Sequence, residues 1–420
     1  MKRITDKYID EVIDLTRAVI RYDSSKKDAV GNYPFGKECA DCLIHFLAVA
    51  EELGFETKNY DNYIGEVIWG EGEDFAILAH LDVVPAGSGW THDPFGAELN
   101  SDVSAGGTEG LKIWGRGALD DKAPAVAILY CFKALKDAGF KPNRRFKLIL
   151  GCNEESGWEC IEHYNKVAVM PEEGFTPDAD FPVIYAEFGI LHVKTFFDIT
   201  DIPLSELSSG DAINMVPQYT RAVVGGEVFE TFGRSAHASK CELGDNSLGK
   251  MIAVLGEKSE EMKNIYSRLF EEKLGLSELV DSTGYLRFSP DLAEYRDGKV
   301  EISVDIRYPA TFKADEVLSH FDAYGIKYEI LSHKEPLYND PESPLIKTLS
   351  RVYNEYAGKE LEPLAIGGGT YARALKRGVA FGPEMEGFES PIHAPDEFIT
   401  VEHLRILFEI YYKAISEIGK

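Results

Sequence analysis

FAILAHLDVVP at residues 75–85 and APAVAILYCFKALKDAGFKPNRRFKLILGCNEES at 123–156 decide the fold class. The first begins as a short apolar run between polar residues and reads as a buried strand. The second starts with apolar residues at helical spacing, passes a glycine and a proline, and ends in another apolar strand, RRFKLILG. A strand, a long helix and a strand repeat the alternation of a mostly parallel α/β sheet.

Upstream of this core, residues 7 to 55 carry the spacing of two helices, closed by Gly54 as a C-terminal cap. EVIW at 66–69 and KIWG at 112–115 add short strands. Beyond PDADFPVIYAEFG the texture changes to β-rich segments, LHVKTFF, AVVGGEVFETFG and KVEISVDIRYP, around one helical stretch at Leu248 to Leu269. From Pro336 the strand–helix alternation resumes and closes on an amphipathic helix at 401–418. The prediction is a discontinuous α/β domain, residues 1–187 and 336–420, with a mixed, mostly parallel sheet and flanking helices. An α+β domain, residues 188–335, is inserted into it.

The 420 residues hold 44 Lys+Arg against 71 Asp+Glu, a formal net charge of −27. Such a field repels phosphate backbones and anionic headgroups, so neither nucleic acid nor a membrane surface is an expected partner. The N-terminal MKRITDKYIDEVIDLTRAVI scatters acids through a helical pattern and lacks the apolar core of an export signal. The longest uncharged apolar stretch, Ala123 to Phe132, is roughly half the 20 or so residues that a bilayer span needs. Six cysteines are too few for a disulfide framework, and a reducing cytoplasm is the expected compartment. Cys39 and Cys42 form a CxxC, but inside a helical pattern and without a second pair, so packing is the favoured role.

Several polar residues stand where the apolar strands end. His80 and Asp82 in AHLDVVP lie on one face of a strand. A histidine there could bind a metal while Asp82 accepts its other ring N–H, although a hydrogen-bonded core histidine fits the pair equally well. Asp120 and Asp121, in WGRGALDDK, precede a helix. One aspartate suits a cap, but two this close repel each other unless a cation lies nearby. Glu154 and Glu155 in GCNEES suit a division of labour in which one glutamate coordinates and the other moves a proton. Asp178 in PDADFP and His393 in PIHAPDE could each be a turn residue. Gly367, Gly369 and Ala372 satisfy the dinucleotide pattern G-x-G-x-x-A, but late in the chain and without a clear following β-strand and acidic residue at the expected distance. A carboxylate cradled by Gly368 and Gly369 at a helix N-terminus is the preferred reading.

Together, His80, Asp120, Glu155, Asp178 and His393 resemble, in order and over nearly the whole chain, the peptidase V dipeptidases. These stand within a larger group of co-catalytic di-metal aminoacylases, carboxypeptidases and succinyl-diaminopimelate desuccinylases. The resemblance implies hydrolysis of free-amine dipeptides by a water that two divalent ions activate, zinc first, with manganese or cobalt as alternatives. It implies Asp120 as the bridging ligand, His80 and Asp178 completing one ion, and Glu155 and His393 the other. Two dications facing three carboxylates leave one positive charge, which a hydroxide cancels. The resemblance also implies Glu154 as general base, a cis peptide between Asp120 and Asp121, and three contacts from the inserted lid. His237 in GRSAHAS would stabilise the oxyanion, Asn214 would add a polar contact, and Arg307 would clamp the substrate carboxylate through two N–H groups. Tyr371 stands where the wider group often has an acid, which favours the dipeptidase branch. The size of the insert is closer to the lids of monomeric relatives. The same site would serve an N-acyl-amino-acid or succinyl-diaminopimelate deacylase. A non-catalytic metal- or peptide-binding protein would have no need of Glu154.

Overall fold

The apolar run at Phe75 lies in the strand Glu73–His80, central to a mixed sheet of the computed structural model, which describes residues 4–101 and 110–420. Met1–Arg3, the basic start of the N-terminal segment, lie outside the described residues. From Phe75 to His80 every residue of this strand is buried, as an apolar run without alternation requires when both sheet faces are covered. It pairs in parallel with Arg144–Gly151 on one side and Glu173–Thr176 on the other. Arg377–Ala380 extends the parallel set, and the antiparallel strands Ile64–Trp69 and Glu56–Tyr60 extend the opposite side. The central parallel strands therefore end on one edge of the sheet. At that edge stand His80, the segment after Gly151 and, just past Thr176, Asp178. Carboxyl edges of parallel strands are where open α/β sheets place ligand sites.

The helix Lys122–Asp137 is buried without interruption from Lys122 to Phe132 and packs against Val401–Ile418 and Ile9–Ile20. Pro124 falls in its first turn, where a missing N–H breaks no helical bond. The two helices expected upstream are Ile9–Ile20 and Lys37–Glu52, with Gly54 beyond the second at φ +81°, the left-handed conformation of a helix stop. Cys39 and Cys42 are buried in the second of these, with Cys39 Sγ donating to Cys152 O at 3.5 Å and Cys42 Sγ to Val19 O at 3.8 Å. No described helix is long and apolar enough to cross a membrane.

Contacts divide the chain into two units, one of Met1–Tyr185, Asn339–Pro363 and Thr370–Lys420, the other of Ala186–Tyr338 and Leu364–Gly369. Leu364–Gly369, expected from sequence in the first domain, belongs to the second unit because the Phe188 N–H donates to Ile366 O at 2.9 Å.

In the second unit seven antiparallel strands form a sheet in the order Glu227–Phe232, Tyr219–Val224, Leu204–Ser209, Arg287–Arg296, Lys299–Tyr308, Gly189–Asp198 and Lys327–Lys334. Its core joins strand residues such as Val300, Ile302, Val304 and Ile306 to Met251, Ile252 and Leu255 of the helix Ser247–Gly256. The helical stretch expected at Leu248 to Leu269 is broken, with a new helix at Glu260–Tyr266. Ser259 causes the break: its Oγ accepts from the Met262 N–H at 2.9 Å and donates to Asp201 at 2.6 Å, capping a second start.

The glycine run departs from expectation more sharply. It leads into a single 3₁₀ turn, Tyr371–Ala374, so no helix N-terminus is present for Gly368 and Gly369 to present, nor for a dinucleotide. Tyr371 is buried against Gly151, where an added Cβ would meet the Tyr371 hydroxyl at 2.2 Å, and that tertiary anchor overrides helical continuation.

Candidate metal centre

Asp120 is the hub of the site. Its Oδ1 lies 2.9 Å from His80 Nε2 and its Oδ2 2.8 Å from His393 Nε2, so each carboxylate oxygen faces a different imidazole. Asp178 Oδ2 lies 3.7 Å from His80 Nε2, and Glu155 Oε1 lies 3.0 Å from His393 Nε2. All five residues singled out as metal ligands therefore converge, from the ends of two strands, the turn before the buried helix, and two loops. Among the described residues, donor atoms of His80, Asp120 and Glu155 lie within 4.8 Å of one another, as do those of His80, Glu154 and Asp178. The second group admits Glu154 as a ligand as well as a base. The Asp120–Asp121 peptide is cis.

The electrostatics of this cluster fit cations. Burial opposes charge on His80, yet its bond to Asp120 and the fields of Asp178, Asp120 and Asp82 outweigh it and hold the imidazole well above its ordinary pKa. Bonds to Asp120 and Glu155 raise His393 to about 11. Burial also pushes up Asp120, but its bonds to His393 and His80 prevail and hold it far below the usual carboxylate range. Burial and the neighbouring Asp120 drive Asp178 well up. Burial raises Glu154 to about 8, with Glu155, Asp82 and Asp120 adding to the shift. Without cations, protons must compensate the crowded acids. Two imidazoles among four carboxylates form an N/O donor set of the kind that binds zinc, manganese or cobalt.

Three further acids, none of them a candidate ligand, hold the segments that carry the candidate ligands through their backbone N–H groups. Asp82 accepts from the Glu154 N–H at 2.9 Å and the Glu155 N–H at 3.2 Å. Asp121 accepts from the His80 N–H at 3.2 Å. Glu397, fully buried, accepts from Gly117, Leu119 and Asp120 N–H at 3.1, 2.9 and 3.2 Å and from Arg116 Nη1 at 2.7 Å. The role expected of Asp82 changes accordingly. It is the Asp82 backbone carbonyl, at 2.9 Å, that faces His80 Nδ1, while the carboxylate stands off at 3.6 Å because it is engaged with the Glu154–Glu155 backbone. That contact leaves Nε2 of His80 directed at Asp120. Glu397, Asp121 as an anchor, and Trp158 are not expected from sequence. The indole of Trp158 donates to Glu154 Oε1 at 3.2 Å and stands edge-on to Tyr371. Only the sequence proximity of Asp121 and Glu397 to ligands marks them.

The remaining candidates lie in the second unit. His237 is exposed, and its Nδ1 accepts from the Ser239 N–H at 3.1 Å and lies 2.7 Å from Ser239 Oγ, which places the ring hydrogen of the neutral form on Nε2. Asn214 is its neighbour, through a Met215–His237 bridge and the Ala238 N–H donating to Asn214 O at 2.8 Å. Arg307 does not present the open fork expected of it. Its Nε and Nη2 bind Asp305 at 2.6 and 2.7 Å and its Nη1 binds Gly367 O at 3.1 Å, leaving two of five N–H groups.

Histidines and carboxylates gathered at the carboxyl edge of an α/β sheet are the donor set of a metal-dependent hydrolase. The chain belongs to peptidase family M20/M25/M40, whose pattern matches residues 76–417. It is 34% identical to a Beta-Ala-Xaa dipeptidase of Lactobacillus delbrueckii subsp. lactis, over all of this chain and 98% of that protein. Its fold is similar to that of an aminoacylhistidine dipeptidase from Vibrio alginolyticus (TM-score 0.65, 13% identity, covering 100% of this chain and 99% of the other). It is also similar to human carnosine dipeptidase 1 (TM-score 0.60, 14% identity, covering 98% and 97%).

Proposed function

We propose that this protein is a metal-dependent dipeptidase acting on free-amine dipeptides through two divalent ions, zinc first, with manganese or cobalt as alternatives. The observation that carries the reading is the Asp120 carboxylate facing His80 with one oxygen and His393 with the other, beside Glu154. His80, Asp178 and Asp120 would hold one ion, and His393, Glu155 and Asp120 the other. When bound, the ions supply Lewis-acid polarisation of the scissile carbonyl and a water of lowered pKa. The name of the Lactobacillus relative supports a dipeptide substrate.

Trp158 fixes Oε1 of Glu154, so Oε2 is the oxygen that takes a proton from the attacking water. That oxygen then delivers the proton to the leaving amine nitrogen as the carbon–nitrogen bond breaks, which restores the carboxylate. Nε2–H of His237 donates to the carbonyl oxygen as it gains negative charge, with Asn214 as a second polar contact. The two remaining N–H groups of Arg307, beside the Gly368–Gly369 backbone, take the substrate carboxylate. In this reading the chain works as a cytoplasmic monomer without nucleic-acid or membrane partners, and light scattering on purified protein checks the monomer.

The test is Glu154→Gln, assayed with metal analysis and a panel of free-amine and N-acetylated dipeptides before and after chelation. Turnover of free-amine dipeptides should fall by about 10²–10⁴ with metal content unchanged. Wild-type turnover in the variant sinks the mechanism, and loss of metal makes Glu154 a ligand.

A further inference from the structure

Arg287 and Arg307 are direct cross-strand partners in the antiparallel pair Arg287–Arg296 and Lys299–Tyr308. Like charges opposed in this way, with Cβ atoms about 4.5–5.5 Å apart, repel unless both are neutralised. Arg307 is neutralised by Asp305, which also accepts from His192 Nε2 at 3.0 Å. Arg287 has no equivalent partner. Its nearest carboxylate among the described residues is Glu242, 3.8 Å from Nε and itself half exposed, and Nε makes no hydrogen bond. The guanidinium is held in place all the same, lying over the rings of Tyr285 at 4.9 Å and Phe188 at 5.3 Å.

Beside it opens a cavity of about 380 Å³, lined among others by Arg287, Tyr285, Phe270, Lys273 and Glu242. Lys273 adds a second cation with no ion pair among the described residues, while Asp245 on the same wall is paired to Lys250. The glycine run passes close to the guanidinium itself. A Cβ on Gly367 would stand 3.6 Å from Arg287 Nη1, and Gly367 O is the acceptor of Arg307. In a chain of net charge −27, an anchored arginine whose nearest carboxylate among the described residues, Glu242, stands off at 3.8 Å without a hydrogen bond to Nε, beside a second cation, is a place for a further carboxylate.

We propose that Arg287 forms a subsite for a second substrate carboxylate, so that the preferred substrates are dipeptides with aspartate or glutamate at the C-terminus. This rests on the dipeptidase reading, in which Arg307 takes the terminal carboxylate. The side-chain carboxylate of the same residue then falls to the arginine directly across the strands. The cavity has room for either acidic side chain.

The test separates binding from cleavage. Ala-Glu and its neutral isostere Ala-Gln are titrated calorimetrically into metal-free protein, wild type and Arg287→Gln, and both peptides are then assayed for hydrolysis with metal restored. Wild type should bind Ala-Glu about tenfold to a hundredfold more tightly than Ala-Gln, and Arg287→Gln should bring that ratio to near one. Arg287→Lys, which keeps the charge, should retain part of the preference and lose it as salt is raised. Equal affinities in wild type, or a ratio that Arg287→Gln leaves unchanged, overturn the subsite. A preference in binding without cleavage of either peptide overturns the dipeptidase reading and leaves the subsite standing.

Discussion

Glu397→Gln is the substitution that most directly tests how the metal centre is held. The wild-type carboxylate is fully buried and takes four donors, two on each oxygen: Arg116 Nη1 and the Gly117 N–H on Oε2, and the Leu119 and Asp120 N–H groups on Oε1. Glutamine is the same size, but one end becomes an amino group facing two donors, and Arg116, only 2% exposed, loses its counter-charge. Breaking a buried pair from one side costs on the order of 3–5 kcal/mol. At roughly 2–4 °C per kcal/mol for a unit of this size, the melting temperature should fall by roughly 6–20 °C.

The same change frees the loop that carries Asp120, and lost contacts behind a ligand typically weaken metal binding about 10–100-fold. Calorimetric melting of metal-free protein and competition with a chromophoric chelator read the two effects separately. Arg116→Met combined with Glu397→Gln should cost less than the two single changes added together, because the buried charge left behind by either one alone is gone. A Glu397→Gln protein with wild-type melting and metal affinity would refute this account of the anchor.

Two further outcomes are expected of the site. His80 and His393 are both held above neutrality, His393 at about 11, and Glu154 is at about 8, so the metal-free site holds protons at pH 7 that cations must displace. Metal affinity should therefore rise with pH, and calorimetry in buffers of different ionisation enthalpy should show at least two protons released per chain. A pH-independent affinity contradicts this. Trp158→Phe removes the N–H that fixes Glu154 Oε1 and should lower kcat by about 5- to 30-fold with metal content intact, whereas an unchanged kcat would mean that the indole does not position the base.

How far the sequence reveals this site depends on the kind of signal each residue leaves. His80 and Glu155 are legible because apolar runs announce the strand ends beside which they sit, and the carboxyl edge of a parallel sheet is a known place for ligands, whereas Asp178 follows the short strand Glu173–Thr176, which has no apolar run to announce it, and enters only through the family resemblance. The closing helix is legible at its observed bounds, Val401–Ile418, since its amphipathic period is long and Gly419 ends it. The glycine run misleads because local pattern cannot register that Tyr371 must reach Gly151, and the helical stretch at Leu248 to Leu269 misleads because Ser259 caps through a tertiary bond to Asp201. The fork of Arg307 reads as open because its partner Asp305 lies two residues away on the same strand and declares no pairing in sequence. Glu397 leaves no trace beyond its charge and its place four residues after His393: a carboxylate that binds backbone N–H groups imposes no periodicity and selects no residue type at its targets.

The three anchoring acids explain why the ligand loops need no regular structure to hold their positions. Asp82, two residues after the proposed ligand His80, holds the loop of Glu154 and Glu155; Asp121, adjacent to Asp120, holds His80; Glu397, four residues after His393, holds Asp120. Each anchor stands next to one ligand and grips the backbone of another, so no ligand-bearing segment in this chain of contacts can shift alone. Carboxylates suit the task because each oxygen can accept two N–H groups without a side-chain partner being conceded. Their cost is negative charge brought to a site already crowded with it. Burial raises Asp82 to about 6 and Asp121 well above the ordinary carboxylate range, so part of that charge is absorbed by protons in the metal-free chain. Cations at the centre lower the cost of every one of these acids at once. The residues that pre-organise the proposed ligands are therefore the same residues that make an empty centre unfavourable, and in this reading affinity for metal is built into the anchors as much as into the ligands.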